Sequence, residues 1–284
     1  MLNTALLKFP LNNAESFETS SFQNLSCRVR GVCSDEFLQK FPPAGSWIES
    51  AIDRLNAVLR LRNQSDIDRI ELYTTKTSSE IYNVIDESIY GQIHVTGEIS
   101  GLNLNAAIYA PYYLIYENDI LDKNPYIKEI YFVLTDEPLI LNDSSILFGG
   151  AAGEYTIISM SHIELTLKNN PDLIKDSFFK AANFIGCDFS RLEELTEDNY
   201  ILREGFIRLV MHEFAHTQGI PVPEDSQDYD RELYSEDFGI HCMSDGEKSR
   251  TCIMNQASDV SEWFTQFFTE KLLGIDFCDV CCNV

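Results

Sequence analysis

Residues 211–220, Met-His-Glu-Phe-Ala-His-Thr-Gln-Gly-Ile, hold His212, Glu213 and His216 in the order His-Glu-x-x-His. Two histidines four residues apart share one face of a helix, so both imidazoles can reach one metal ion. Glu213 would then lie beside the metal, close enough to take a proton from a bound water; with no metal it is a supporting or surface charge. A zinc hydrolase takes three protein ligands and leaves the fourth position to water, so the chemistry turns on a third ligand. Glu224, Asp225, Asp228 and Asp230 follow soon after Gly219, and beyond them stands His241, joined directly to Cys242.

The eight cysteines are unevenly spread. Cys27, Cys33 and Cys187 are scattered and read as ordinary buried thiols, whereas Cys242, Cys252, Cys278, Cys281 and Cys282 crowd into the last 43 residues. The N-terminus shows neither a basic n-region nor an uninterrupted apolar run, so no export signal is read. A cytoplasmic chain is the expectation, and there such clustering points to metal binding rather than disulfides.

Taken in order, the C-terminal part reads His212, Glu213, His216, Gly219, then His241-Cys242, Cys252-Ile253-Met254 and Cys278-Asp279-Val280-Cys281. It resembles the archaemetzincins, whose signature runs His-Glu-x-x-His-x-x-Gly-x-x-His-Cys, four residues, Cys-x-Met, then Cys-x-x-Cys. The order is kept while the spacing is longer. About twenty residues separate Gly219 from His241, with Val222 at the position of the family's third ligand, and nine separate Cys242 from Cys252. The gap from Met254 to Cys278 is also longer, by six residues. Upstream, Thr135 and Asp136 at a strand end, Phe148 and Gly149 at a turn, and Ser159 at the end of an edge strand extend the resemblance, which covers residues 45–284 and is strongest from 130 onward.

The resemblance implies an α/β (α+β) zincin, or metzincin-like, domain with a mixed sheet, an active-site helix and a zinc-bound cysteine-rich C-terminal region. It implies a zinc-dependent peptidase with His212, His216 and His241 on a catalytic zinc, Glu213 as general base and Met254 as the Met-turn residue below the site. A second, structural zinc would be held by Cys242, Cys252, Cys278 and Cys281, with Cys282 to spare. A peptide or protein substrate would lie antiparallel along an edge strand at residues 155–160. Tying His241 to Cys242 favours it over the four acidic rivals as third ligand. The competing reading is a zinc-binding scaffold of the same fold without turnover, for which Glu213 would have no use.

The elements that must position these residues follow from periodicity. Trp47, Ile48, Ile52, Leu55, Val58 and Leu59 recur at helical spacing, and residues 69–77 alternate as a strand. The run 129–141 reads as a buried strand entering an acidic turn. The stretch 144–164 reads as strand, glycine-rich turn at Gly149, Gly150 and Gly153, and a second strand. Residues 172–186 and 202–219 read as helices, the second with Gly219 as its C-terminal cap. In 102–121, Pro111 bars a helix through the middle and leaves one after it open. Residues 1–43 read as an irregular N-terminal extension of unknown role, ending in a Pro-Pro turn, with 44–284 as the catalytic domain.

A net charge of −24 argues against nucleic acid or an anionic membrane as partner, and no apolar run has the length of a membrane span. The acidic segment 220–238 reads as a loop excursion overhanging the site. Its charge either draws basic substrates or is simply solvated. His94 and His162 read as structural or surface residues.

Overall fold

The computed structural model describes residues 3–7, 26–78, 80–81, 93–96, 99–103, 107–108, 110, 127–141, 145–220, 241–242, 252–255 and 257–282. It is a mixed α/β structure. Strands β1 (Asn3–Leu7), β2 (Ser26–Ser34), β3 (Ile67–Thr75), β6 (Ile127–Thr135), β9 (Gly149–Ala152) and β10 (Tyr155–Ser159) form one sheet in the order β1-β3-β2-β6-β10-β9. The four inner strands are mutually parallel, and both edge strands run antiparallel to their neighbours. A smaller sheet joins β4 (Ile93–Thr96), β5 (Ile99–Asn103), β7 (Leu139–Leu141) and β8 (Ser145–Leu147).

Helices α1 (Asp35–Lys40) and α2 (Ala44–Leu61) connect β2 to β3, as a crossover between parallel strands requires. Helices α3 (Ser161–Asn169), α4 (Pro171–Ile185), α5 (Leu192–Leu195) and α6 (Asp198–Thr217) follow β10, and α7 (Val260–Leu273) and α8 (Asp279–Cys282) close the described chain. Helix α4 starts on Asn170, whose side chain accepts from the Leu173 N–H, followed by Pro171, and it ends at the left-handed Gly186. Both are standard stop and start chemistry. Helix α7 begins on Asp259, which accepts from the Glu262 N–H. Among the described residues, no helix is long and apolar enough to cross a membrane.

The main core lies between one sheet face and the helices, where Val29, Ile130, Phe132 and Ile158 meet Ile52, Phe206, Val210 and Phe214. The central helix α6 is buried almost all round, so it shows little amphipathic contrast.

The stretch 26–41 corrects the sequence reading. It is not irregular: β2 sits in the middle of the large sheet, and Phe37 and Phe41 are in the core. The strand escaped notice because Arg28 and Arg30 hide its alternation. Both are buried on the face opposite the helices, between Glu71 of β3 and Glu129 of β6; Arg30 Nε lies 3.2 Å from Glu71, which also accepts from the Tyr73 hydroxyl at 2.7 Å. Buried charges survive where they are paired and hydrogen-bonded.

A second correction concerns the glycine-rich segment. Gly149 and Gly150 belong to strand β9, and the turn falls at Gly153, whose φ is +60°. Residues 155–159 therefore lie inside the sheet, and among the described residues β9 takes the edge. The expected helix after Pro111, the acidic segment 221–240 and its four carboxylates lie outside the described residues.

Candidate metal centres

Helix α6 carries the His-Glu-x-x-His residues in its last turns. It stops where the sequence provides for it: the Gly219 N–H bonds to the His216 carbonyl at 2.9 Å, the Ile220 N–H to that of Ala215 at 3.0 Å, and Gly219 takes φ +72°. A left-handed residue just past a helix end is where glycine carries no steric penalty.

Polar residues recur every fourth position along this buried helix: Glu204, Arg208, His212 and His216. Each is anchored differently. Glu204 accepts two hydrogen bonds from Arg54, at 2.9 and 3.1 Å, and pairs with Lys271 at 3.1 Å. Arg208 makes a fork to Glu270 of α7 at 2.8 and 2.9 Å, with its guanidinium 4.9 Å above the Trp263 ring. His212 Nδ1 lies 2.6 Å from the Ile253 carbonyl oxygen. A hydrogen on Nδ1 satisfies that contact and leaves the Nε2 lone pair free to bind a metal, the usual arrangement for a ligating histidine.

Three imidazoles converge. His212 Nε2 and His216 Nε2 are 3.1 Å apart, and the His241 ring centroid lies 5.3 and 5.0 Å from theirs. One ligand nitrogen from each of the three falls within 4.8 Å of the others. Burial, aided at His212 by its two neighbours, pushes His212 well below the usual imidazole range, His216 down to about 3 and His241 down to about 4. All three are neutral near pH 7, with lone pairs aimed into one space. Tetrahedral zinc–nitrogen bonds would set adjacent nitrogens about 3.3 Å apart, so the set fits a single metal ion.

Glu213 points to the sheet side of the same turn and is 4 % exposed. Burial pushes its carboxyl up to about 8. Its carboxylate rests against Gly149 of β9, where an added Cβ would come within 2.5 Å of Glu213 Oε1 and 2.8 Å of the Ile157 carbonyl oxygen. That close approach is why the edge strand has no side chain there. Thr135, Asp136 and Ser159 meet at the adjoining strand ends: the Met160 N–H bonds to the Thr135 carbonyl and the Ser159 hydroxyl donates to that of Glu137. Asp136 accepts from Lys40.

A second cluster gathers Cys242, Cys252, Cys278 and Cys281, whose sulfurs lie within 4.8 Å of one another. Cys242 and Cys278 are 3.6 Å apart, as are Cys252 and Cys281. These are not disulfide distances; they match the spacing of about 3.8 Å between thiolates on one tetrahedral zinc. Sulfur contacts within the group pull Cys278 and Cys242 down and push Cys252 and Cys281 up. A bound cation would let all four carry thiolates at this spacing, so the set is suited to a metal ion. Cys282 stands outside the set, half-buried.

The two clusters share backbone. His241 and Cys242 are consecutive; Cys252 precedes Ile253, the residue that accepts from His212. Met254 is fully buried, and its carbonyl accepts from the Cys242 N–H at 2.8 Å.

The remaining candidates fall elsewhere. Cys27 and Cys33 are buried thiols raised by burial to about 11 and about 12, and Cys187 lies apart. His162 is buried against Phe148 and held down to about 4 by burial. His94 lies on β4, paired with Gly101. Sequence reasoning missed the Ile253 carbonyl, which no side-chain pattern reveals. It also missed the Arg208–Glu270 pair, which the fourfold spacing 204-208-212-216 could have flagged.

No protein-family model matches this sequence, and no match is found among curated protein sequences. Among solved structures the chain is similar to an archaemetzincin from Methanopyrus kandleri, at 14 % identity over 91 % of this chain and 92 % of that one, with a TM-score of 0.42. It is also similar to a zinc-dependent peptidase from Methanocorpusculum labreanum, at 12 % identity over 89 % and 97 %, with a TM-score of 0.44. At such scores, what the two clusters can do rests on their own side chains.

Proposed function

We propose that the protein is a zinc-dependent peptidase with two metal ions, a catalytic one on His212, His216 and His241 and a structural one on Cys242, Cys252, Cys278 and Cys281. The observation that carries the reading is the convergence of three imidazoles, with two Nε2 atoms 3.1 Å apart, beside a buried carboxyl group one residue from the first of them. A structural site alone would need no such carboxylate.

Zinc in the imidazole site would acidify a bound water and polarise the scissile carbonyl. Glu213, beside the three imidazoles, would take a proton from the attacking water and pass it to the leaving amine. A carboxyl raised by burial is suited to exchanging a proton near neutral pH, and a neighbouring dication offsets part of that rise. Strand β9 is an antiparallel edge in contact with Glu213, so a peptide extending the sheet there would pass the general base. On this reading the peptide pairs with residues 149–152 rather than with 155–160, which the position of β9 outside β10 in the strand order supports. A preference for basic peptides belongs to the same proposal and rests on the charge of −24 and the acidic 220–238 segment.

Glu213→Ala is the test. It should lower hydrolysis of a peptide library by about 10²- to 10⁴-fold while zinc content stays unchanged. Full metal content with no cleavage by the wild type of any library peptide, basic ones included, would favour the scaffold reading.

A further inference from the structure

The two clusters share one piece of backbone, and its bonding has a direction. Ile253 is held on both sides: its carbonyl accepts from His212 Nδ1 at 2.6 Å, and its N–H donates to the Asp276 carbonyl at 2.7 Å. Cys252 is the residue before it, and Asp276 stands two residues before Cys278. Each face of this strut therefore ends in a cysteine of the thiolate cluster. His241 is joined to the same cluster through Cys242, whose N–H bonds to Met254 on the strut's other flank. The remaining sulfur, Cys281, sits on α8, a single turn of helix held at its carbonyl by Arg62 at 2.7 Å. Two of the three imidazoles thus take part of their position from segments that carry the cysteines of the thiolate cluster. His216 alone is placed wholly by α6.

We infer that occupancy of the thiolate cluster sets the metal affinity of the imidazole site, with the Ile253 carbonyl as the positioning group between them. The inference rests on the proposed reading of the two clusters as metal sites and adds a coupling between them. A metal on the four sulfurs draws Cys242, Cys252 and Cys278 together. That fixes Ile253 against His212, keeps its hydrogen on Nδ1, and sets His241 facing the other two rings. When the sulfurs separate, His212 can turn or change tautomer, and His241 is free to leave. Losing the hydrogen-bond partner of a ligating histidine typically lowers metal affinity about 10- to 100-fold, and a loosened third ligand adds to that. Linkage then requires the reverse effect, with the imidazole metal tightening the thiolate site by the same factor.

Cobalt titration of the full-length, metal-stripped protein separates the sites, because thiolate-bound and imidazole-bound cobalt absorb differently. Cys281→Ser should weaken cobalt binding at the imidazoles by about 10- to 100-fold. Cys281→His, which keeps four ligands on the second metal, should restore it. In the other direction His216→Ala, which leaves every cysteine intact, should weaken the thiolate site by a comparable factor and provides the answer if Cys281→Ser does not fold. Unchanged imidazole affinity in Cys281→Ser, or unchanged thiolate affinity in His216→Ala, overturns the coupling. Absence of imidazole-bound cobalt in the wild type overturns the reading of that site, and the coupling with it.

Discussion

The imidazole and thiolate clusters lie side by side and are built in opposite ways. The first hangs on α6, a twenty-residue helix sunk in the core and bolted to α7 through Arg208 and Glu270. The helix fixes the backbone of His212, Glu213 and His216, while the ring of His212 is set from outside it by the Ile253 carbonyl. The second is collected from three short segments, residues 242, 252 and 278–281, with a single turn of helix among them. On the proposed reading, a rigid helix would support the metal that meets substrate, while a metal enclosed by four thiolates would tie together segments that, among the described residues, share no long element.

The comparison breaks most visibly at the cysteines. Replacing Cys252 and Cys281 together by Ser should remove one zinc and cost up to about 10 kcal/mol of folding free energy, the scale of structural zinc binding. Calorimetry would show a large fall in Tm. His212→Ala with His216→Ala should remove the other zinc with a loss of about 1–3 kcal/mol. Equal losses in the two variants would erase the distinction.

The α6 anchor comes next. Arg208→Met leaves Glu270 buried without its partner and should cost about 3–5 kcal/mol, whereas Arg208→Met with Glu270→Met should recover most of it. Denaturant unfolding reads both. Glu213→Ala should lower kcat/KM by about 10²- to 10⁴-fold at unchanged Tm, separating chemistry from scaffold. The smallest effect is expected at Gly149→Ala. A methyl group 2.5 Å from Glu213 Oε1 must displace the carboxylate or the strand, at about 1–3 kcal/mol, seen as reduced activity with both metals retained.

The parts of this design differ in how far the sequence discloses them. His212, Glu213, His216 and the Gly219 stop follow from helical period and cap chemistry, which are local. His241 and the cysteine set came through an ordered resemblance, because contacts across tens of residues leave no periodic trace. Strand β2 was hidden because its alternate residues are arginines, readable as buried only once Glu71 and Glu129 are known to flank them. The edge strand was misplaced by one for a related reason. Gly149 and Gly150 resemble a turn, yet glycine is needed at 149 so that Glu213 can approach the backbone. In both cases a partner distant in sequence dictates the residue type.

The central claim is that the imidazole cluster holds a metal of its own, next to and distinct from the thiolate metal. Zinc content of the purified full-length chain tests it most directly, measured for the wild type and for His216→Ala. The account predicts two zinc ions per chain in the wild type and one in the variant, with the remaining ion lost on replacing Cys252 and Cys281. One zinc in the wild type, retained in His216→Ala, would contradict it.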